Sequence, residues 1–265
     1  MSFERVKVGE LEYLRSTLID VPHCFSSRFG GVSEGYLSSL NLGISRGDLP
    51  ERCLENYRIL GEAVGFRPED VAFSRQIHSD LVIRVGQEHR GRLLEPEREE
   101  TERDGMVTDE PGIALAAFGA DCPTILLYDP VKKAISSVHS GWRGTAMGIV
   151  KRAVEKLTET YGSDPADIRA AIGPCICADC FETHRDVPDS MLASLGVDAL
   201  PAIRHGKLEG KFHVDLKMIN RIWLEQAGVT QIDVTEDCTA CQPDRYWSHR
   251  VTKGIRGSQA AIITL

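Results

Sequence analysis

The stretch FGADCPTILLYDPVKKAISSVHSGWRG, residues 118–144, determines the centre of the fold and also carries the first candidate site. Two apolar, strand-like runs flank a group of turn residues, so the stretch predicts a β-hairpin. If Asp129 and Lys132 are the last paired residues, Cys122 lies directly opposite His139. Directly opposed side chains have Cβ atoms about 5 Å apart, so a thiolate and an imidazole there could share one zinc ion.

The register of this hairpin depends on its turn. Pro130 at the first turn position fits turn types I and II, which splay hairpin strands, and a longer loop would shift the pairing. Pro123 cannot donate to the ladder, so we expect Cys122 at the mouth of the strand. The return strand continues through HSGWRGTAMGIV, residues 139–150, into an amphipathic helix. This junction either presents N–H groups and Arg143 to an anion or is a plain strand-to-helix turn.

Outside the hairpin, apolar periodicity predicts helices and strands in mixed order. Helical patterns cover 51–64, 145–161 and 216–227, each followed by a glycine that can end a helix. Strand-like runs cover 70–73 paired with 81–85, 113–118, 124–128, 134–138, 168–172, 229–235 and 260–264. The predicted fold class is therefore α+β, a mixed α/β sandwich of mixed sheets with hairpins and flanking helices. Without a linker or a repeat, we expect a single domain over 1–265.

Composition describes a globular chain with an acidic balance. Of its 265 residues, 42% are hydrophobic and 26% are charged, and the formal net charge is −8. An acidic chain argues against nucleic acid or an anionic membrane as the main partner, which leaves small molecules. The charge-rich segment 87–103 predicts a solvated loop. Because we find no signal-peptide pattern and no spanning apolar run, we expect a cytoplasmic protein, and we expect a monomer.

A catalytic zinc needs a third protein ligand, for which SRQIHSD, residues 74–80, offers a candidate. His78 stands where an irregular segment turns into an apolar run. A single histidine in such a position is more often a surface or hydrogen-bonded residue than a ligand. Spacing alone therefore leaves the third ligand open.

Seven ordered motifs carry a resemblance that covers nearly the whole chain. They are RQIHSD, DGMVTDEPGIAL, ADCPTILLYDP, VHSGWRGTAMGIV, IGPCI, FHVDLKMIN and YWSHRVTKGIRGSQAAII. Together with HCFSSRFGGVS at 23–33, they resemble the bacterial YfiH/laccase-domain family, named for polyphenol oxidase, whose members are regarded as zinc-dependent purine nucleoside phosphorylases. The resemblance implies a single α/β domain and a zinc ion held by His78, Cys122 and His139.

The resemblance also implies an activity. It is phosphorolysis of adenosine, inosine and S-methyl-5'-thioadenosine to the free base and ribose 1-phosphate, with adenosine deamination as a side reaction. A zinc ion with three protein ligands keeps an open position for such chemistry, and a site of this kind also accepts copper. Beside Cys122, Asp121 is a catalytic candidate that orients a ligand or protonates the leaving base, although a turn or N-cap-like role fits as well.

Three polar residues in the matching motifs are candidates for contacts with ribose or base. They are Arg28, Asn41 and Gln76. Each also has a structural interpretation: Arg28 as a solvated loop residue, Asn41 as a turn residue, and Gln76 as support for a metal ligand.

The C-terminal motif departs from the family pattern. At 248–259 the chain reads SHRVTKGIRGSQ, where SHRRDGxTGRQ is common in the family. The change puts an anion contact in doubt, and Arg250 or Arg256 could supply it, because a guanidinium can reach one phosphate from several backbone positions. Gly119 is a second departure, since many relatives carry a hydroxyl residue there.

The cysteines allow a second metal hypothesis. Five of the eight cysteines fall in CICADC at 175–180 and CTAC at 238–241, and two such clusters can build a Cys₄ zinc or iron–sulfur site. Free cysteine is also a common small core residue, so the clusters do not require a metal.

Three other functions remain open. Cys122 and His139 could form the nucleophile and base of a metal-independent hydrolase, which would survive chelation. A laccase is less well supported, because a multicopper enzyme needs more clustered imidazole than a chain with no H-x-H pair provides. The family has also been linked to peptidoglycan-precursor editing, which is the non-enzymatic alternative.

Overall fold

A computed structural model describes residues 3–91, 93–94 and 101–265 of the chain. The strands in this part are β1 (Phe3–Val8), β2 (Leu11–Ser16), β3 (His23–Ser26), β4 (Val71–Ala72), β5 (Val82–Arg84), β6 (Gly105–Thr108), β7 (Ala114–Gly119), β8 (Thr124–Asp129), β9 (Ala134–His139), β10 (Arg169–Ile172), β11 (Glu182–Thr183), β12 (Ile203–His205), β13 (Phe212–Val214), β14 (Gln231–Val234) and β15 (Gln259–Thr264). The α-helices are α1 (Pro50–Val64), α2 (Trp142–Ala146), α3 (Ile149–Tyr161), α4 (Asp186–Leu195), α5 (Leu216–Gln226) and α6 (His249–Thr252).

The strands form two six-stranded sheets and one small sheet. The first sheet has the order β1-β2-β3-β15-β7-β4, and the second has the order β14-β10-β8-β9-β6-β5. The small sheet is β11-β13-β12. Both large sheets are mixed, since β4 pairs with β7, β5 with β6, and β10 with β14 in parallel, whereas their other pairs are antiparallel.

The central strands are apolar on both faces because each face packs into a different core. In β8, Ile125 and Leu127 pack with α3 and α5, whereas Leu126 and Tyr128 pack against residues of the first sheet. A strand buried on both faces reads as a continuous apolar run instead of an alternating one. The same division holds for β15. The two large sheets therefore lie face to face.

Helices cover the outer faces of both sheets. Tyr57 and Leu60 of α1 pack with Ala260 and Ile262 of the first sheet. Helices α3, α4 and α5 contribute to the core on the outer face of the second sheet. The result is the predicted mixed α/β sandwich with flanking helices. No helix in the described ranges has the length and apolar character needed to cross a membrane.

The predicted register of the central hairpin is wrong by two residues. Asp129 pairs with Ala134, so a four-residue loop replaces the two-residue turn that we expected. His139 therefore lies opposite Thr124, and Cys122 is two residues before the strand begins. The physical reason is the one noted above, that Pro130 favours turns that do not match the twist of a tight hairpin. The expected position of Cys122 at the strand mouth is confirmed.

Other predicted elements need correction. The runs at 70–73 and 81–85 do not pair, because β4 and β5 lie in different sheets. The helix expected over 145–161 is interrupted at Gly148, where φ is 75°, and is preceded by the separate short α2. Of the predicted loop at 87–103, residues 92 and 95–100 lie outside the described part.

Several elements have no counterpart among the predictions. They include the N-terminal strands β1 to β3, strand β6, helix α4 and the whole small sheet. The strands of the small sheet are only two or three residues long, which is too short for a periodic signal.

Candidate metal centre

His78, Cys122 and His139 converge, as the sequence predicts. Their candidate ligand atoms all lie within 4.8 Å of one another. His78 is in the loop between β4 and β5, Cys122 is in the loop between β7 and β8, and His139 is the last residue of β9. The two imidazole rings are 4.8 Å apart between centroids and nearly perpendicular, at 85°. Three separate segments thus bring two imidazoles and one thiol to one point.

A buried carboxylate, Asp104, holds two of these segments in place. Its Oδ1 is 2.8 Å from His139 Nδ1 and also accepts the His78 N–H at 3.0 Å. Its Oδ2 accepts the Ser79 N–H and the Ser79 hydroxyl, both at 2.7 Å. A carboxylate on Nδ1 leaves the Nε2 lone pair of His139 for an ion, which is the usual support of a metal-bound histidine.

This hydrogen bonding also sets the charges at the centre. Burial would raise the pKa of Asp104, but the hydrogen bonds from His139 and Ser79 outweigh it and lower the pKa to about 2. Burial would lower the pKa of His139, but Asp104 and Cys122 raise it to about 9. Burial, followed by the nearby His139, lowers the pKa of His78. A metal ion bound by His139 requires the neutral imidazole, so its arrival would displace a proton from this histidine.

The residues fit a metal ion. Two imidazoles and a thiolate are ligands that suit zinc and copper. His78 Nδ1 is buried, and no group in the described part of the chain hydrogen-bonds to it, as expected where an ion is the missing partner. Gly141 makes room for this ring, because a Cβ added there would stand 2.1 Å from His78 Nδ1. His78 itself has φ 62°, so the loop holds it in a left-handed conformation that non-glycine residues seldom adopt.

A cavity of about 270 Å³ opens beside His78 and Cys122. This volume is near the lower end of the roughly 300–1,000 Å³ of small-ligand pockets. Its apolar wall consists of Trp142, Ile176, Phe181 and Leu216, and its polar lining includes Asp121, His249, Arg250 and Arg256. A larger surface depression of about 490 Å³ near Tyr13 and His23 contains neither of the His/Cys clusters found in the described residues, so volume alone does not locate the site.

Asp121 lines the cavity but is also bonded within the protein. It has φ 90°, and its Oδ1 accepts the Thr239 hydroxyl at 2.6 Å. Its Oδ2 accepts the Arg250 N–H in the first turn of α6, also at 2.6 Å. The N-cap-like role that the sequence allowed is therefore present. The catalytic role remains a prediction.

Arg256 brings a positive charge to the cavity. Its Nη1 donates to Gly257 O and Ser258 Oγ, each at 2.9 Å, while its Nε is buried and lacks a hydrogen-bond partner within the described ranges. Burial, followed by the neighbouring Arg46, lowers its pKa to about 10. A buried guanidinium with a spare donor can bind an anion.

The four predicted substrate contacts lie outside the cavity lining. Arg28 donates to Ser38 O and stacks on the Trp247 ring at 3.9 Å. Asn41 is buried and bonds both to its own loop and to the Ser258 N–H. Gln76 exchanges two hydrogen bonds with the Phe118 backbone.

Arg143 is exposed and lies over the Trp142 ring, with its guanidinium carbon 4.3 Å from the ring centroid. Substrate contacts by Arg28, Asn41, Gln76 and Arg143 thus remain predictions.

Sequence reasoning did not single out Asp104 or Phe181. Asp104 begins the motif DGMVTDEPGIAL, and its only local signal is an acidic residue directly before a strand. Phe181 directly follows the CICADC segment, where attention falls on the cysteines. Both residues reach the centre through tertiary pairing that a linear pattern does not express.

Comparison with known proteins gives consistent results. Residues 22–265 match the family described as multi-copper polyphenol oxidoreductase laccase. The chain is 37% identical over 256 residues to a purine nucleoside phosphorylase of Deinococcus radiodurans, covering 96% of this chain and 93% of that protein. It is 34% identical to the purine nucleoside phosphorylase YlmD of Bacillus subtilis, covering 90% and 86%. A crystal structure of the hypothetical protein YfiH of Bacillus licheniformis superposes with a TM-score of 0.92 at 31% identity, covering 99% and 98%.

Proposed function

The chain belongs to the multi-copper polyphenol oxidoreductase laccase family, and from this premise we propose that it is a zinc-dependent purine nucleoside phosphorylase with adenosine deamination as a side activity. The observation that carries the proposal is the convergence of His78, Cys122 and His139 at the wall of a cavity that also receives Arg256. The names of the D. radiodurans and B. subtilis relatives point to the same reaction.

The cavity wall suits a purine nucleoside. Trp142 and Phe181 offer aromatic faces, and Ile176 and Leu216 add apolar surface. Aromatic stacking holds a base at about 1–3 kcal/mol per base, and it tolerates adenine and hypoxanthine alike because each has a π-face. This agrees with the proposed substrates adenosine, inosine and S-methyl-5'-thioadenosine.

Phosphate is assigned to Arg256. The Nε donor of Arg256 is buried and unpaired within the described residues, so an anion that meets it gains a charge-assisted hydrogen bond in a partly dry site. Arg256 would thereby supply the anion contact of the arginine that is common in the family motif and missing from SHRVTKGIRGSQ, residues 248–259. A phosphate oxygen held there would attack the anomeric carbon while the bond from that carbon to the base nitrogen breaks.

Asp121 is assigned to the proton that the departing base requires. Each of its oxygens accepts one hydrogen bond and has one more lone pair, and the residue lines the cavity, so Asp121 could accept a proton from the attacking phosphate and pass it to the base nitrogen. His78, Cys122 and His139 would hold the metal, and zinc there would supply a Lewis acid with an open coordination position. Asp104 keeps His139 oriented for that task.

A second candidate function is supported by one observation. Cys122, His139 and Asp104 follow each other in space as thiol, imidazole and carboxylate, which is the order of a nucleophile, its base and an orienting group. A metal-independent hydrolase of amides would use this arrangement. It predicts activity that survives chelation and requires Cys122 as a free thiolate.

The deciding experiment is chromatography of adenosine and inosine after incubation with zinc-loaded protein, with and without phosphate. We expect adenine or hypoxanthine together with ribose 1-phosphate only when phosphate is present, and a smaller yield of inosine from adenosine without it. Cys122→Ala should abolish both reactions, whereas the matched variant Cys175→Ser should retain them. Parallel loading with copper would show which metal supports turnover.

Each other result has a defined meaning. Conversion of adenosine to inosine alone would contradict the phosphorylase and leave a deaminase. Absence of turnover of every nucleoside by metal-loaded protein would overturn the proposal. Hydrolysis of an amide substrate that resists chelation would then favour the second candidate.

A further inference from the structure

A second group of metal-type ligands lies outside the site described above. Cys177, Cys180, Cys238 and Cys241 place their sulfur atoms within 4.8 Å of one another. Cys241 Sγ is 3.4 Å from Cys180 Sγ and 3.9 Å from Cys177 Sγ. Four thiolates around one tetrahedral zinc ion, with Zn–S of about 2.3 Å, stand about 3.8 Å apart. We call these four residues the cysteine tetrad.

The fold brings the two halves of the tetrad together independently of any ion. Strands β10 and β14 are parallel neighbours, and the two Cys-x₂-Cys segments follow their carboxyl ends. The pairing continues as an isolated bridge between Cys175 and Cys238, with the Thr239 N–H donating to Cys175 O at 3.1 Å. The ligands are therefore presented by a sheet edge that is already formed, which lowers the entropy cost of binding.

The local backbone is arranged around sulfur. Cys238 Sγ accepts the N–H of Cys177 at 3.2 Å and the N–H of Cys241 at 3.4 Å. Each Cys-x₂-Cys segment is a tight turn, in which Cys180 N–H donates to Cys177 O in one and Gln242 N–H donates to Cys238 O in the other. Two N–H donors on one sulfur favour a thiolate, and such hydrogen bonds tune metal–sulfur centres.

The spacing favours one ion over a cluster. In an iron–sulfur cluster the thiolates are spread over several iron atoms, so they stand farther apart than ligands that share one ion. All four sulfurs here lie within the span of a single coordination sphere. A closed set of four protein ligands is the pattern of structural zinc sites, whereas catalytic sites retain an open position.

The tetrad is linked to the wall of the substrate cavity. Thr239, inside the second segment, donates to Asp121 at 2.6 Å. Arg250 Nη1 donates to Cys180 O at 3.1 Å, and Ile176 and Phe181, which flank the first segment, line the cavity. An ion that closes the two segments would therefore also fix this wall.

We propose that the cysteine tetrad binds one structural divalent metal ion of the zinc class, which joins the two Cys-x₂-Cys segments and holds one wall of the cavity. The proposal does not depend on the function proposed above, because its readout is metal content.

The test is the zinc content per chain, measured by elemental analysis on protein purified with zinc and freed of loosely bound ions. We expect two zinc ions in the unaltered chain, one in Cys180→Ser/Cys241→Ser, and one in His78→Ala/Cys122→Ala. Cys175→Ser is the matched control, since Cys175 lies two residues before the first Cys-x₂-Cys segment and is not in the tetrad, and it should retain both ions. Cobalt substitution supplies a second readout, because thiolate-to-cobalt absorption increases with the number of thiolates.

The cobalt readout keeps the proposal testable if the double cysteine variant fails to fold. His78→Ala/Cys122→Ala retains the tetrad and should then show the absorption of a tetrahedral four-thiolate cobalt site. One zinc ion in the unaltered chain that disappears in His78→Ala/Cys122→Ala would overturn the proposal. Two further results would also overturn the proposal. In one, the mass and alkylation pattern of the intact protein show that the four cysteines form disulfides. In the other, all four thiols alkylate freely in zinc-loaded protein.

Discussion

The two cysteine-containing centres differ in ligand number and in what lies beside them. His78, Cys122 and His139 come from three separate loops and strands, are supported by a buried carboxylate, and adjoin a cavity. The cysteine tetrad comes from two short turns and supplies four ligands of one type. Three ligands beside a cavity leave room for a substrate, whereas four close the coordination sphere. The difference teaches that two centres with different tasks, one suited to chemistry and one suited to stability, adjoin the same wall of the cavity.

Replacement of Cys122 by alanine should separate the two centres most strongly. We expect phosphorolysis to fall by more than about 100-fold, because loss of a group that merely supports a metal ligand already costs 10–100-fold. The ion of the cysteine tetrad should remain. Turnover of inosine and zinc content, measured on the same sample, check the result. Activity close to that of Cys175→Ser would show that the centre does not perform the reaction.

Asp104→Asn should weaken the same centre without removing a ligand. The variant loses the negative charge that orients the His139 ring and accepts the backbone N–H of His78. We therefore expect metal affinity at this centre to fall by about 10–100-fold. Competition with a chelator measures that affinity. Asp80→Asn, in the loop that carries His78 and with its carboxylate 3.7 Å from Arg152, is the control and should behave like the unaltered chain. Equal affinity in both variants would refute the supporting role.

Arg256→Met should affect phosphate more than nucleoside. A hydrogen bond to a charged group contributes about 1.5–3 kcal/mol, so we expect the KM for phosphate to rise at least about tenfold while the KM for inosine changes little. Initial rates at varied phosphate and fixed nucleoside give this comparison. In the control, Arg143→Met removes an exposed arginine that lies over Trp142. If the KM for phosphate rises more in Arg143→Met than in Arg256→Met, the anion site lies at α2 and not at Arg256.

Thr239→Val tests the contact between the two centres. The substitution nearly preserves shape but removes the donor to the buried Asp121, so we expect the free energy of unfolding to fall by about 1–3 kcal/mol. Urea titration followed by tryptophan fluorescence measures the change. Thr183→Val, whose hydroxyl makes a long 3.3 Å bond near the surface, should change stability by less than about 0.5 kcal/mol. If the free energy of unfolding of Thr239→Val equals that of the unaltered chain, the two centres are not coupled through this bond.

The sequence predicts the sandwich well because its central strands carry strong signals. Strands β8 and β15 are apolar on both faces, and such runs are visible without any knowledge of their partners. The small sheet is missed because its strands are only two or three residues long. Strand β2 is missed because charged residues interrupt its apolar run, as Glu12 does, which is buried in ion pairs with Arg5 and Arg245. The hairpin register fails because it is set by the loop conformation after Asp129, which composition does not encode.

Of the metal centre, the sequence predicts the candidate ligands but not the carboxylate that supports them. Cys122 and His139 are predicted as a pair from one hairpin, and the two side chains lie close together although the assumed register is wrong. Their convergence survives because the loop before β8 turns at Asp121, with φ 90°, and carries Cys122 back toward the strand end. Asp104 escapes prediction because it joins the centre from the neighbouring strand β6, whose pairing with β9 has no local signature.

Gly141 gives the centre a vulnerability that does not involve any ligand. The imidazole of His78 occupies the space where a side chain at position 141 would begin. A chain with alanine at 141 would retain every histidine, cysteine and aspartate of the centre, and yet the His78 imidazole would have to move from its present position. Among diverging copies of such a gene, this one glycine would therefore distinguish an active enzyme from an inactive descendant whose ligand motif is still intact.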